Sequence, residues 1–142
     1  MNAIKLSLNR ITCLQKVLDC TEIFLASAKR GDFTALPPFI KRRNTLFKAF
    51  RFYDDQLKKI IKTLPQDSKI SFLVDSLKRD LKIQERLTYS IQGVDSELTK
   101  LIEGEKERLQ HELVLSEKHQ KIFSRFKSHW LPEQGEQLDG NG

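Results

Sequence analysis

From Ile70 to Phe126 apolar residues recur every three or four positions, and no proline interrupts them. The series runs Leu73/Val74, Leu77, Leu81, Leu87, Ile91, Val94, Leu98, Leu101/Ile102, Leu109, Leu113, Ile122/Phe123 and Phe126, with polar Gln84 and Glu105 where apolar residues are due. Such spacing keeps side chains on one face of an α-helix and does not match the two-residue alternation of a strand. A helix over this stretch, about 68–128, is roughly 60 residues and 90 Å long. Gly93 and Gly104 are its weak points, each about 1 kcal/mol less favourable than Ala. The pattern favours one long helix, with a kink near Gly104, over two separate helices.

Two shorter helices precede it. Ile4, Leu8, Ile11, Leu14, Leu18, Leu25 and Ala28, with Thr21 between, predict a helix over about 4–30. Gly31 suits its C-cap, and Lys29 and Arg30 complement the negative helix end. Phe33, Leu36, Ile40, Phe47, Phe50, Leu57, Ile61 and Leu64 continue the period, with Asp32 as the expected N-cap. Proline is tolerated only in a first helical turn, so Pro37 and Pro38 place the regular helix at 38–64, after a turn or short helical piece over 32–37. Pro65 ends it, and Asp67 or Ser68 caps the next.

The chain has 142 residues, 39% hydrophobic and 31% charged, with only six Gly and four Pro. That balance suits long amphipathic helices with much of their surface in water, and too few turn residues remain for a β domain. The expected fold is therefore all-α: an antiparallel three- (or four-) helix bundle or coiled coil over 1–128, with a long third helix. Residues 129–142 form an expected flexible tail, since Glu133 to Gly142 is acidic, rich in Gly and nearly without apolar side chains.

Cys13 and Cys20 lie seven residues apart, about 10 Å on a helix, too far to bridge. They read as small buried hydrophobes in a reducing compartment. No apolar run reaches the roughly 18 residues of a membrane span, and Lys5 and Arg10 interrupt any signal-peptide core. The expectation is a cytoplasmic protein without membrane insertion.

No sequence motif offers catalysis. There is no Gly-rich phosphate loop, nucleophile elbow, Cys-x-x-Cys or His-Glu-x-x-His. His111 and His119 stand about 12 Å apart on a helix, too far to share a metal. Glu105, Glu107, Glu112 and Glu117 alternate with Lys106, Arg108, Lys118 and Lys121, as on a solvated helix face. The reading is a non-enzyme with no catalytic residue, cofactor or metal site.

Charge and unpaired apolar surface carry more. Residues 41–62 hold eight basic residues against Asp54 and Asp55, a local +6 equal to the net charge of the chain. Lys41, Arg42, Arg43, Lys48 and Arg51 form the candidate basic face, interleaved with Phe47, Phe50, Phe52 and Tyr53. Phe52 and Tyr53 cannot both share the core stripe with Phe50, so at least one is expected outside. The two short helices can cover only the first part of the third. Its remainder leaves Leu101, Ile102, Leu109, Leu113, Ile122, Phe123 and Phe126 as candidate partner-binding residues. Trp130 either folds back on Phe126 or joins them as an anchor.

Around the first junction, Asp32, Phe33, Leu36, Phe39, Ile40, Arg43, Leu46 and Phe47 follow an Asp-aromatic-x-x-Leu-x-x-apolar-apolar-x-x-Arg-x-x-apolar-apolar pattern. This stretch resembles flagellar type III export chaperones of the FliT type, whose longer-helixed neighbours are the FlgN-type chaperones. The resemblance implies a cytosolic protein that binds the C-terminal amphipathic part of a filament-cap or hook-associated subunit. It would prevent premature assembly and deliver that client to export-apparatus components. Two alternatives stand beside it: a self-assembling coiled coil that pairs as a homodimer, and a basic nucleic-acid-associated protein.

Overall fold

The computed structural model describes residues 2–64 and 70–130, apart from the side chains of residues 70, 123 and 125–130. They form three α-helices: α1 (Ala3–Lys29), α2 (Leu36–Thr63) and α3 (Ile70–Trp130). The 61 residues of α3 form one helix through Gly93 and Gly104, and no side chain or neighbouring backbone approaches either glycine. Pro65, Asp67, Ser68 and the tail from 131 onward lie outside the described residues. The packing divides the chain into two units, residues 1–101 and 102–142.

Asn2 starts α1 by accepting the Lys5 amide on its side-chain oxygen at 2.7 Å. At the other end Gly31 adopts φ 80°, which a side chain would strain. The Gly31 and Asp32 amides then donate to the carbonyls of Ala28 and Ser27, at 2.9 and 3.0 Å. That pair of bonds satisfies the last helical carbonyls and reverses the chain.

Helix α2 begins at Leu36, two residues before the expected Pro38. Both prolines fit in the first turn because the amides they lack have no partner there. Asp32 does not cap α2. Its carboxylate accepts the Thr34 amide and hydroxyl, at 3.0 and 2.7 Å, and so holds the connecting turn.

Within the first unit, named contacts fix the helix directions. Ala3 and Leu6 cluster with Leu57, against which Tyr53, Ile60, Leu73 and Leu77 pack. Further along, Leu14, Val17 and Leu18 meet Leu87 and Ile91, with Phe47 and Phe50 alongside. Phe24 stacks on Phe39 beyond them. Contacts that ascend α1 therefore descend α2 and ascend α3: α2 runs against both neighbours.

The inward stripe of α1 differs from its expected course. Leu6 (1% exposed) and Val17 (0%) are central, whereas Leu8 is 50% exposed and Ile4 also lies open. Ser7 and Arg10 are buried instead, because Arg10 donates to the Asp54 carboxylate at 2.7 Å and to the Ser7 hydroxyl. An apolar count cannot register a buried ion pair. In α2, Ile40 and Ile61 likewise face outward, while Phe39 and Leu46 turn toward the core. In α3, Leu81 is exposed and Asp80 takes the buried place beside it in sequence.

Candidate partner-binding surfaces

At the junction end of α1 and α2 lies a groove of about 550 Å³. Cys20, Ile23 and Ser27 line it from α1 and Pro38 and Phe39 from α2. The α1 residues stand three or four apart, on one face of that helix. Two of its lining residues are aromatic: Phe24 and Phe39 stack at 4.7 Å between centroids, and Phe33, outside the lining, meets Phe24 edge-on at 6.5 Å. Ile23 stands on the rim 73% exposed. Lys16, Arg30 and Arg42 supply three cations around the opening and Asp19 one anion. Gln15 donates to that Asp19 carboxylate at 2.9 Å.

The sequence argument missed this groove. The signal was the run Ile23-Phe24-Leu25: three successive apolar side chains span about 200° of a helix and cannot all enter one core. Phe24 and Leu25 are buried and Ile23 is left outside.

The basic face is split. Lys41, Arg42, Lys48 and Arg51 are exposed, as expected. Arg43 turns inward instead. Its guanidinium donates two hydrogen bonds to Asp95 of α3, at 2.6 and 2.5 Å, and a third to the Thr21 hydroxyl of α1, at 3.3 Å. It also lies 5.2 Å over the Phe47 ring. The Asp95 hydrogen bonds raise the Arg43 pKa further above its already high value. Arg43 thus ties α1, α2 and α3 together and does not belong to the exposed basic stripe. Of the adjacent aromatics, Phe52 is exposed, and Tyr53 is half-buried against the Leu6–Leu57 cluster.

A second tie joins α1 to α2. Asp54 accepts from Arg10 at 2.7 Å and from Lys58 at 2.8 Å. Burial pushes the Asp54 carboxyl up, but the hydrogen bonds from Lys58 and Arg10 outweigh it and hold the group below the usual carboxylate range. Cys13 is buried and its thiol is raised by that burial. Both cysteines are free.

In the second unit, Leu109, Leu113 (61% exposed) and Ile122 (62%) are open along α3, as are Val114 and Leu115, which the spacing argument passed over. Leu101 and Ile102 are half-buried. The side chains of Phe123, Phe126 and Trp130 lie outside the described residues. Arg108 pairs with Glu105 at 2.6 Å and with Glu112 at 2.5 Å on the same helix, which holds the Glu105 carboxyl low.

Among the described residues no group of three or more His, Cys, Asp and Glu could hold a metal ion, and no helix is long and apolar enough to cross a membrane. No protein-family model, curated protein or solved structure is significantly similar to this chain.

Proposed function

We propose that this chain is an export chaperone of the flagellar type III kind, working in the bacterial cytosol. It holds the C-terminal amphipathic helix of a filament-cap or hook-associated subunit, prevents its premature assembly and passes it to the export apparatus. The observation that carries this reading is the α1–α2 groove, with its stacked aromatic pair, open Ile23 and cationic rim. An amphipathic helix offers apolar anchors at i, i+3 and i+4, which a groove of this kind accepts, and acidic flanks would meet Lys16, Arg30 and Arg42.

The same reading takes the three helices as a coiled-coil bundle. Its support is the step along α3, where Leu73, Leu77, Asp80, Gln84, Leu87, Ile91, Val94 and Leu98, all half-buried or buried, alternate steps of four and three, with half-buried Ser76 and Asp95 beside them. Rigid walls of that type preserve a preformed groove.

Co-expression with the C-terminal helical segment of a flagellar cap subunit tests the proposal. The segment should co-purify with the wild-type chain and be lost from an Ile23→Asp variant of unchanged helicity. No capture of cap or hook-associated segments, or capture indifferent to Ile23→Asp and Phe39→Ala, would overturn it. The exposed apolar residues of the second unit favour a second reading, self-assembly.

A further inference from the structure

We infer that the outer ridge of α2 docks on the surface of a bilayer rich in anionic phospholipid. Lys41, Lys48 and Lys59 are separated by seven and eleven residues, about two and three whole helical turns, so they lie on one line along the helix. Arg51 and Lys62, also eleven apart, follow that line about 60° to one side. All five are exposed, and none forms an ion pair among the described residues, whereas Lys58 is taken up by Asp54. Lys48 and Leu57 stand nine residues apart, half a turn out of phase. Leu57 is 2% exposed in the core, so the cations occupy the outermost line of α2. Phe52 shares this line, eleven residues from Lys41 and seven from Lys59, and is 54% exposed. Asp55 is the one carboxylate on it, which leaves a net +4 over about 32 Å.

Charge and shape together choose the occupant. The cations call for a polyanion, and a ridge has no walls in which a partner helix could bury its apolar side. A nucleic-acid duplex offers phosphates, but its grooves wind away from a straight helix, and it admits an aromatic ring only where bases unstack. A bilayer surface is flat along the whole ridge. Its phosphate headgroups meet the lysines and Arg51, and the acyl boundary just beneath accepts the Phe52 ring. Long basic side chains suit that arrangement, because their stems lie along the apolar layer while the charged ends stay at the headgroups. The ridge shares no residue with the α1–α2 groove, so client capture and membrane docking succeed or fail separately.

The test sediments the full chain with vesicles of phosphatidylcholine alone and of equal parts phosphatidylcholine and phosphatidylglycerol. At low salt it should bind the anionic vesicles about tenfold or more tightly, and release them as salt screens the charges. Each cation at an anionic surface contributes about a fivefold factor, so Lys48→Gln with Arg51→Gln should weaken binding about 25-fold at unchanged helicity. The same net change placed off the ridge, Lys5→Gln with Lys100→Gln, should weaken it by less than about threefold. Entry of the ring is read with Phe52→Trp in a Trp130→Phe background. The indole emission should move to shorter wavelength on anionic vesicles and be quenched by brominated acyl chains. No preference for anionic vesicles, equal losses from the two glutamine pairs, or an unquenched indole would each overturn the inference. Displacement from the vesicles by duplex DNA at equal phosphate concentration would overturn it too, and assign the ridge to nucleic acid.

Discussion

Replacement of Asp95 by Ala removes the acceptor of two short hydrogen bonds from Arg43 while leaving α3 free of any new bulk. The Arg43 side chain is 21% exposed and that of Asp95 33%, so the pair lies between a solvated surface bridge and a buried one. Exposed pairs contribute up to about 1 kcal/mol, and breaking a buried pair costs about 3–5 kcal/mol. The bidentate geometry argues for the middle of that interval, and Asp95→Ala should therefore destabilise by about 2 kcal/mol. Arg43→Met retains much of the stem packing on Phe47 and loses the charge. In a double-mutant cycle by urea unfolding, the pair of substitutions should show a coupling of about 1.5–2 kcal/mol. The loss of about 2 kcal/mol in Asp95→Ala alone corresponds to a fall in Tm of about 8–16 °C, at about 4–8 °C per kcal/mol for a unit near 100 residues. A coupling below about 0.5 kcal/mol, the level of ordinary surface pairs, would refute the claim that Arg43 clamps three helices.

Three other outcomes follow from the same packing. Val17→Ala, at the fully buried site, should cost about 2 kcal/mol in chemical unfolding, while Leu8→Ala stays within about 0.5 kcal/mol. Asp54 is depressed in the folded state, so its stabilising effect is complete above the unfolded carboxyl pKa of about 3.9 and is lost as pH falls through the lower folded value. Asp54→Asn should accordingly flatten the acid limb of a stability–pH curve and leave its neutral-to-alkaline shape unchanged. Gly104→Ala introduces a methyl into open space on a helix, and helicity by circular dichroism should rise, with a gain of up to about 1 kcal/mol.

The helices were legible because their signals are local. Gly31 marked the end of α1, and the proline-free series after Ile70 marked α3 as one element. Apolar spacing also found Leu14, Leu18, Leu87, Ile91 and Leu98, where the inward stripe is wholly hydrophobic. It failed where the stripe is polar. Arg10 enters the protein only because Asp54, forty-four residues later, meets it, and no window of helical length contains both. Leu8 was assigned in its place because it is the nearest apolar residue. Arg43 shows the converse: composition placed it on a charged face, and a distant aspartate took it inward. The groove escaped notice for a related reason. It is formed by two half-stripes, Cys20–Ile23–Ser27 and Pro38–Phe39, each too short to register as periodic.

The junction between α1 and α2 bears on how two copies of this chain can exchange parts. Domain swapping through this connection would require residues 30–38 to straighten into continuous helix, so that α2 could leave its own α1 and pack on a neighbour's. Gly31 is held at a left-handed dihedral, and Pro37 and Pro38 would each lose a backbone hydrogen bond and collide with the preceding turn if the helix ran through them. At about 3 kcal/mol or more for each proline, the straightened form is kept out of reach. The hairpin of α1 and α2 is thus committed to closing on itself, even at the high local concentrations where amphipathic helices most readily trade partners.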